Sequence, residues 1–219
     1  PQDGHEKQDC ELNAAKRWIE KYGVFYAKRG VTLLGDDLFS RSPFCWLLKD
    51  QSLHFILVCK PDSHPELYQT VAFLAANAVL GSKVVRRWMG KYAEIDTYRY
   101  ANQVALFAAP EAPSVNWVEL TTTREDSGAI LFKNAWISDF EMRDTSVEAI
   151  VRDGRARWKV ENENNNVLKT KGYHLEHNFR HGRQHLAALL LSLNLLAFLF
   201  HTVLDLVDDQ YRAIRQKLG

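Results

Sequence analysis

The residues best suited to do chemistry in this sequence lie in the segment 155–171, RARWKVENENNNVLKTK. If this segment is helical, Arg157 and Glu161 stand four residues apart on one face, and Glu163 points away from it. A carboxylate on that face could hold a divalent metal ion, and the neighbouring guanidinium could bind a phosphate. The ordinary alternative is a solvated helix with an exposed ion pair, which is the commoner meaning of an isolated R-x3-E pattern.

A second acidic candidate, Asp36, follows the apolar run 31–34 in a Gly-Asp-Asp turn. Such a turn commonly does no more than end a strand and cap the next helix. In open α/β sheets, however, ligand sites collect at the C-terminal ends of the strands, where a carboxylate is well placed for a divalent ion. Asp36 is therefore a candidate metal ligand as well as an ordinary turn residue.

Together, these two segments resemble the DDE transposases of cut-and-paste insertion sequences. That family carries its third catalytic carboxylate on a helix, in a motif Y-x2-R-x3-E-x6-K that commonly contains RWxIE, and this chain has RWKVE at 157–161. The family's second carboxylate ends a strand in a pattern like D-x-G-[YF], which DDLF at 36–39 matches with Leu in place of Gly. The continuation GYHLEHN at 172–178 also resembles one branch of the family.

The resemblance implies an α/β fold with an N-terminally truncated ribonuclease H-like core, an inserted antiparallel β region and C-terminal helices. It makes Asp36 and Glu161 catalytic carboxylates and ligands of two Mg²⁺ or Mn²⁺ ions, which activate water or a DNA 3′-hydroxyl for attack on a phosphodiester. The implied activity is DNA cleavage and strand transfer at insertion-sequence ends, by a protein that acts at least as a homodimer. The implied location is the bacterial or archaeal cytoplasm, at the nucleoid and away from membranes.

Three features depart from the family pattern. Gly154 stands where the motif has Tyr, and Lys169 lies one residue beyond the motif's Lys position, which Leu168 occupies. No apolar strand precedes the first predicted helix, so the first catalytic Asp is expected upstream of Pro1. We therefore expect residues 1–219 alone not to cleave DNA. The alternative within the same fold is a non-catalytic remnant, or a regulatory fragment that binds DNA or an intact transposase subunit.

Two basic segments are candidate DNA contacts. Residues 150–183 contain eight Lys or Arg against four acids, although the whole chain carries a net charge of only +1. From this segment Arg155, Arg157 and Lys169 are the predicted phosphate contacts. Residues 83–100 combine five basic with four aromatic side chains, and here Arg87 and Trp88 are predicted to bind a phosphate and to stack on a base. Solvated strands whose aromatic side chains face the core explain this second segment equally well.

Apolar periodicity predicts the elements that would position these residues. A helix at 7–28, a strand at 31–34, a helix opened by Ser42 as N-cap and Pro43, and a strand at 54–59 give the alternation of a layered α/β domain. Between residues 83 and 140, β-prone residues and turn signals predict three to five antiparallel strands. With 46% hydrophobic residues, the chain can bury one substantial core.

Helix-capping patterns complete the prediction. Ser63 and Glu66 form a capping box for a helix that ends near Leu80, and Thr145 and Glu148 form another. Helical sequence then continues to the C-terminus, with breaks at Gly172 and Gly182. The predicted parts are a partial core at 1–60, a helix plus the inserted β region at 61–143, and a helical part at 144–219 that carries the third carboxylate.

Residues 186–200, LAALLLSLNLLAFLF, are apolar enough to suggest a membrane span but are short for one. Asn194, His201 and Asp205 would share one helical face, as expected when a buried helix turns a polar strip toward a site. We therefore predict a buried core helix, with a membrane-associated protein as the competing function.

Histidines and cysteines offer weaker signals. His174, His177, His181 and His185 would share one helical face and could bind zinc, but histidines that face DNA or solvent are the preferred interpretation. Cys10, Cys45 and Cys59 are widely spaced and odd in number, which predicts reduced structural thiols.

Overall fold

The computed structural model describes residues 10–176 and 185–218, except for the side chains of residues 161 and 218. The chain divides into two compact units. One covers Cys10–Arg157 and is built around a β-sheet, and the other contains Trp158–Gly219 and is helical in its described elements.

In the sheet unit the elements follow one another as α1 (Glu11–Ala27), β1 (Thr32–Gly35), α2 (Ser42–Asp50), β2 (His54–Val58), a 3₁₀ turn (Pro61–Ser63), α3 (Pro65–Ala76), β3 (Gly81–Trp88), β4 (Ala93–Ala105), β5 (Ser114–Arg124), β6 (Ile130–Ser138) and α4 (Val147–Lys159). The described strands form one mixed six-stranded sheet in the order β1-β2-β6-β5-β4-β3. β1 and β2 are parallel, and the other neighbours are antiparallel. The predicted α/β class and the antiparallel β region are confirmed.

Both faces of the sheet are covered by helices, which explains why β2 is apolar at every position after His54. Phe55 and Leu57 belong to the core cluster on the face of α1, α2 and α3, whereas Ile56 and Val58 belong to the cluster on the face of α4. A strand covered on both faces needs an apolar residue at every position rather than at alternate ones. Each such side chain, fully buried, contributes about 1.5–3 kcal/mol.

The cysteines fit this packing. Cys45 and Cys59 are buried in the first cluster, and burial raises the pKa of both thiols, so they remain protonated. Cys10 is exposed at the N-cap of α1, where its Sγ accepts the backbone N–H of Asn13 at 3.4 Å.

The capping box predicted at Ser63 and Glu66 is wrong. The Ser63 hydroxyl donates to the carboxylate of Asp37, and the Glu66 carboxylate accepts the backbone N–H of Ala108. Both side chains are therefore engaged with other elements rather than with the first turn of α3, which begins at Pro65 and ends at Ala76 instead of Leu80.

The other two predicted helix starts are displaced. α2 begins at Ser42 itself, so that Arg41 is the N-cap. α4 begins at Val147, two residues after Thr145, and Glu148 forms an ion pair with Lys83 at 2.5 Å. In each case a residue of suitable type lies near the start of the helix without capping it.

In the helical unit, the end of α4 continues into a π-helical segment (Val160–Asn165), followed by α5 (Asn166–Thr170), α6 (Leu186–Val207) and α7 (Asp209–Leu218). The predicted break at Gly172 is confirmed, since this residue has a φ of +92° just after α5. The other predicted break, Gly182, lies outside the described residues.

The prediction of a buried core helix at 186–200 is wrong for this structure. None of the described residues of α6 is buried, and Leu196 and Val207 are 61% and 73% exposed. α6 spans 22 residues with a mean hydropathy of 2.1 over its most apolar window, which is long and apolar enough to cross a membrane. The apolar sequence of α6 shows that burial would stabilise this helix, but it does not show which element lies against it.

Candidate active site

Asp36 lies at the C-terminal end of β1, next to the parallel strand β2. β1 and β2 run side by side in register from Thr32 opposite His54 to Gly35 opposite Leu57. The half-buried Asp36 follows at once, and its Oδ1 accepts the backbone N–H of Leu38 at 2.9 Å. That hydrogen bond closes a tight turn and fixes the carboxylate at the strand end.

The adjacent carboxylate, Asp37, has a different task. Its oxygens accept the backbone N–H of Lys60 at 2.7 Å and the hydroxyl of Ser63, both of which follow β2. Asp37 therefore ties the end of β1 to the end of β2. Sequence reasoning missed this role, because nothing local distinguishes the two acids of the turn. Asp37 is thus the carboxylate that anchors the two strand ends, whereas Asp36 accepts a hydrogen bond only within its own turn among the contacts described.

Ser40 and His64 lie beside Asp37, an arrangement that superficially resembles a nucleophilic triad. Ser40 Oγ is 2.7 Å from His64 Nε2, but its own hydrogen is donated to the carbonyl of Asp37 at 2.8 Å. Since a hydroxyl has one hydrogen, while Ser40 donates to Asp37 the Nε2 of His64 is the donor in its contact with Ser40 and not a base for the serine proton. Both side chains are also buried, and burial lowers the pKa of His64. The cluster is a structural hydrogen-bond network.

The helix that carries the RWKVE string changes its winding at the end of that string. In the π-helical segment Val160–Asn165, backbone hydrogen bonds reach one residue further than in an α-helix. Two side-chain amides support it: Asn162 Nδ2 donates to the carbonyl of Trp158 at 3.2 Å, and Asn166 Nδ2 donates to Asn162 Oδ1 at 3.2 Å. The Asn run thus stabilises a wide helical turn although its residues are poor α-helix formers.

Glu161 belongs to this π-helical segment, but its side chain lies outside the described part of the chain. Arg157 is half-buried at the end of the sheet unit. The shared face of these two residues was argued from α-helical spacing, and it stays a prediction. Single turns of π-helix are frequent at functional sites, which is compatible with a ligand at this position.

Gly154, at the position of the motif's Tyr, has a packing reason. It is buried where α4 crosses the sheet, and a Cβ there would lie 2.9 Å from Ile56 Cγ2 and 3.1 Å from Trp136 Cδ1. A tyrosine cannot be accommodated without moving the helix. The next residue, Arg155, is exposed, and its guanidinium lies over the ring of Phe132, 4.4 Å from the ring centroid. This predicted phosphate contact is thus held by a cation–π interaction at the sheet surface.

The motif's Lys position is also explained by packing. Leu168 is buried within the helical unit, whereas the next residue, Lys169, is exposed and forms an ion pair with Glu176 at 2.8 Å. Lys169 is accessible to a phosphate, but to bind one it would have to give up its ion pair with Glu176. Its DNA-binding role stays a prediction.

In the β region, most of the positive charge that suggested DNA binding is paired. Arg87 donates to both oxygens of the buried Asp96 at 2.7 and 3.1 Å and to Glu94 at 3.1 Å, and the hydrogen bonds to Asp96 raise the pKa of Arg87. Arg86 forms a similar two-bond pair with Glu125. These contacts favour the structural interpretation of Arg87. Trp88 is 64% exposed at the end of edge strand β3, so its ring remains accessible for stacking.

The two described histidines of this set, His174 and His185, do not lie in one helix as predicted. His174 lies in the turn after α5 with a φ of +54°, and His185 immediately precedes α6 with a φ of +43°. His177 and His181 lie outside the described residues. Within the described ranges, no three His, Cys, Asp or Glu side chains come together as a metal-binding group.

The chain matches no protein-family profile and no curated protein sequence.

Proposed function

We propose that this chain is part of a DDE-type transposase that cleaves and joins DNA at insertion-sequence ends with the help of Mg²⁺ or Mn²⁺. In this proposal Asp36 and Glu161 are metal ligands, and Arg157 binds a DNA phosphate. Arg155, Lys169 and Trp88 are further DNA contacts, and Arg87 is a weaker candidate because it already pairs with Asp96.

The position of Asp36 is the observation that carries the proposal. It directly follows β1 of a parallel strand pair, which is where open α/β sheets hold their ligands. Asp37 anchors the turn through Lys60 and Ser63, so the two acids divide the work between structure and a ligand. Carboxylate oxygens are also the donors that Mg²⁺ and Mn²⁺ prefer.

A ribonuclease H-like core is the finer statement of fold in this proposal. The support is that β1 is an edge strand of the described sheet, with the parallel strand β2 on its inner side. A further strand that bears the first carboxylate would pair with the outer edge of β1, next to Asp36. In this scheme α3 with β3–β6 makes up the inserted β region, and α4 leads into the segment that bears Glu161.

The chain's own residues would divide the reaction between them. Bound Mg²⁺ ions supply Lewis acidity, which lowers the pKa of a nucleophilic water and stabilises charge on the phosphate oxygens. Asp36 and Glu161 would hold that metal, and Arg157 would orient the scissile strand by binding a phosphate. The Asn-rich π-helical segment would fix the backbone that carries Glu161.

The two neighbouring acids provide a matched test. Mn²⁺ is titrated into the intact chain and its variants and followed by electron paramagnetic resonance, with thermal unfolding as the second measurement. Asp36→Asn should weaken Mn²⁺ binding about tenfold or more with little change in Tm, because it removes a charged ligand. Asp37→Asn should lower Tm and leave Mn²⁺ affinity nearly unchanged. Equal Mn²⁺ affinity in wild type and Asp36→Asn would contradict the proposal.

A membrane-associated protein is the second candidate, and the exposure of α6 is the specific observation that favours it. Against it, the polar strip of α6 is engaged with a charged neighbour: Asp205 forms an ion pair with Arg215 of α7 at 3.4 Å, and His201 stacks with Tyr211. Burying α6 in lipid would either separate these groups or take α7 into the hydrocarbon with it. Recovery of the expressed chain in the soluble fraction without detergent would remove this candidate, and quantitative recovery with membranes would support it.

A further inference from the structure

A pocket of about 470 Å³ lies wholly within the helical unit. It is formed by the turn that follows α5, the middle of α6 and one face of α7. Its polar lining residues are Lys171, Tyr173, Asn194, His201, Tyr211 and Arg215. This volume falls in the usual range for small-molecule sites, about 300–1,000 Å³.

Tyr173 is the fixed wall of the pocket. Its hydroxyl is 2.6 Å from His201 Nδ1, its carbonyl accepts the side-chain amide of Asn194 at 2.8 Å, and its ring meets Phe198 edge-on. Gly172, at a φ of +92°, turns the chain into this position and has no atom within 4 Å of where a Cβ would stand. Asn194 and His201 of α6 therefore hold Tyr173 in place, and Gly172 puts no side chain at the opening of the pocket.

The charge in the pocket is of one sign. Lys171 and Arg215 approach from different elements, and no acidic side chain is among the described residues that line the pocket. The nearest carboxylate partner, Asp205, lies outside the lining and contacts Arg215 Nη1 at 3.4 Å. Two cations from different elements, in a concave site whose described lining residues include no acid, favour an anionic ligand.

His201 supplies an additional donor. Burial raises the pKa of Tyr173, so its hydroxyl keeps its hydrogen, and in the tautomer that leaves Nδ1 unprotonated this hydroxyl donates to His201 Nδ1, 2.6 Å away. Nε2 of the imidazole then carries the other hydrogen and can donate to an acceptor in the pocket. The imidazole also stacks with Tyr211, with the two ring planes 21° apart, so aromatic surface lines the same cavity as the cations.

We propose that this pocket binds a nucleotide through its phosphate, with Lys171, Arg215 and His201 Nε2 as phosphate contacts and Tyr211 as the surface for the base. Guanidinium and ammonium groups bind phosphate through charge-assisted hydrogen bonds, and aromatic rings stack on bases of any identity. The nucleotide is either free or the phosphorylated end of a DNA strand. The second source rests on the proposed transposase function, whereas the first does not.

The test uses the intact chain in EDTA, so that no divalent ion takes part. Deoxyadenosine 5′-monophosphate and deoxyadenosine are titrated in parallel by calorimetry, and inorganic phosphate is added as competitor. The monophosphate should bind about tenfold or more tightly than the nucleoside, because charge-assisted contacts to the phosphate are lost in the latter. Equal affinities for the two would overturn the proposal.

Matched variants identify the site. Arg215→Gln and Lys171→Gln should each weaken binding of the monophosphate about tenfold, and Arg215→Lys should restore part of it. Lys217→Gln removes a charge from the same helix α7 outside the pocket and should have no effect. A loss of the same size in Lys217→Gln, or no loss in the first two, would mean that binding is diffuse or lies elsewhere and would overturn the assignment.

A further pair of probes separates the two sources. A short single-stranded oligonucleotide with a 5′-phosphate should bind more tightly than the same strand with a 5′-hydroxyl if the pocket takes DNA ends. Equal binding of the two strands, together with selective binding of the monophosphate, identifies a free nucleotide and keeps the site. Because no metal and no cleavage enters the measurement, its failure would leave the metal-ligand proposal for Asp36 untouched, and the reverse also holds.

Discussion

The two units of this chain differ in how far their apolar side chains are buried and in where their cationic side chains lie. The sheet unit buries its apolar residues on both faces and pairs its arginines with carboxylates on neighbouring strands, as Arg87 does with Asp96. In the helical unit, α6 leaves its apolar residues exposed, while Lys171 and Arg215 line a pocket that has no acid among its described lining residues, although Arg215 also pairs with Asp205 of α6. The clearest difference is therefore in the apolar side chains, which the sheet unit buries on both faces of its sheet and α6 presents to its surroundings.

The largest expected difference between the units is the cost of truncating an apolar side chain. Phe55→Ala should lower the free energy of unfolding by about 4 kcal/mol, because Phe55 is completely buried in the sheet. Leu196→Ala in α6 should change it by less than about 0.5 kcal/mol. Chemical denaturation of both variants makes the comparison. A cost at Leu196 similar to that at Phe55 would mean that α6 is covered in solution, and the contrast between the units would fail.

A tyrosine at position 154, where the transposase motif has one, should damage the sheet unit. Gly154→Tyr would bring a side chain against Ile56 and Trp136, and we expect a loss of about 3 kcal/mol in the free energy of unfolding from overpacking. Arg152→Tyr, at an exposed position on the same helix, is the matched control and should be nearly neutral. If Gly154→Tyr were as stable as wild type, the departure from the motif would have no packing cause.

Two arginines should separate stability from DNA binding. Arg87→Ala should cost about 2 kcal/mol of stability, because it leaves the buried Asp96 without its main cationic partner, and should lower DNA affinity much less than Arg157→Ala does. Arg157→Ala should instead reduce the slope of log affinity against log salt concentration by about one phosphate contact. Fluorescence anisotropy at several salt concentrations measures the slope. The opposite assignment of effects would move the DNA contact to the β region.

The smallest expected effect is a pH dependence that arises at His64. Burial holds the pKa of His64 below its ordinary value of 6.5, so the unfolded chain binds a proton more readily than the folded one. The contribution of the neutral, buried His64 to the free energy of unfolding is therefore fully present above about pH 6.5 and is lost as the pH falls below that value. His64→Gln removes this titration, so Tm should fall less steeply between pH 7 and pH 5 in the variant than in the wild type. An equally steep decline in the variant would assign the pH dependence to other groups.

The elements of the sheet unit could be predicted where their sequence leaves little choice. After His54, β2 is apolar at every position because helices cover both of its faces, and this run was recognisable. The helix starts could not be located by capping patterns, since Ser63 and Glu66 have stronger partners far away in sequence, Asp37 and the backbone of Ala108. A capping box states what two side chains are able to do, and the tertiary structure decides whether they do it.

The candidate site was predictable in position but not in its division of labour. A strand-end acid could be expected at Asp36, but only the contacts of Asp37 with Lys60 and Ser63 distinguish the anchor from its neighbour. The π-helical turn was not predictable, because it depends on amide hydrogen bonds within the Asn run. The exposure of α6 was not predictable either, since a sequence records how apolar a helix is and not what lies against it.

Glu161 of the RWKVE string is proposed as a metal ligand, and Mn²⁺ binding measured by electron paramagnetic resonance is the direct test of that role. Glu161→Gln and Glu163→Gln make the same chemical change two residues apart in one π-helical segment. We expect Glu161→Gln to weaken Mn²⁺ binding by about tenfold or more and Glu163→Gln to leave it unchanged. Unaltered binding in Glu161→Gln, or a selective loss in Glu163→Gln, would contradict it.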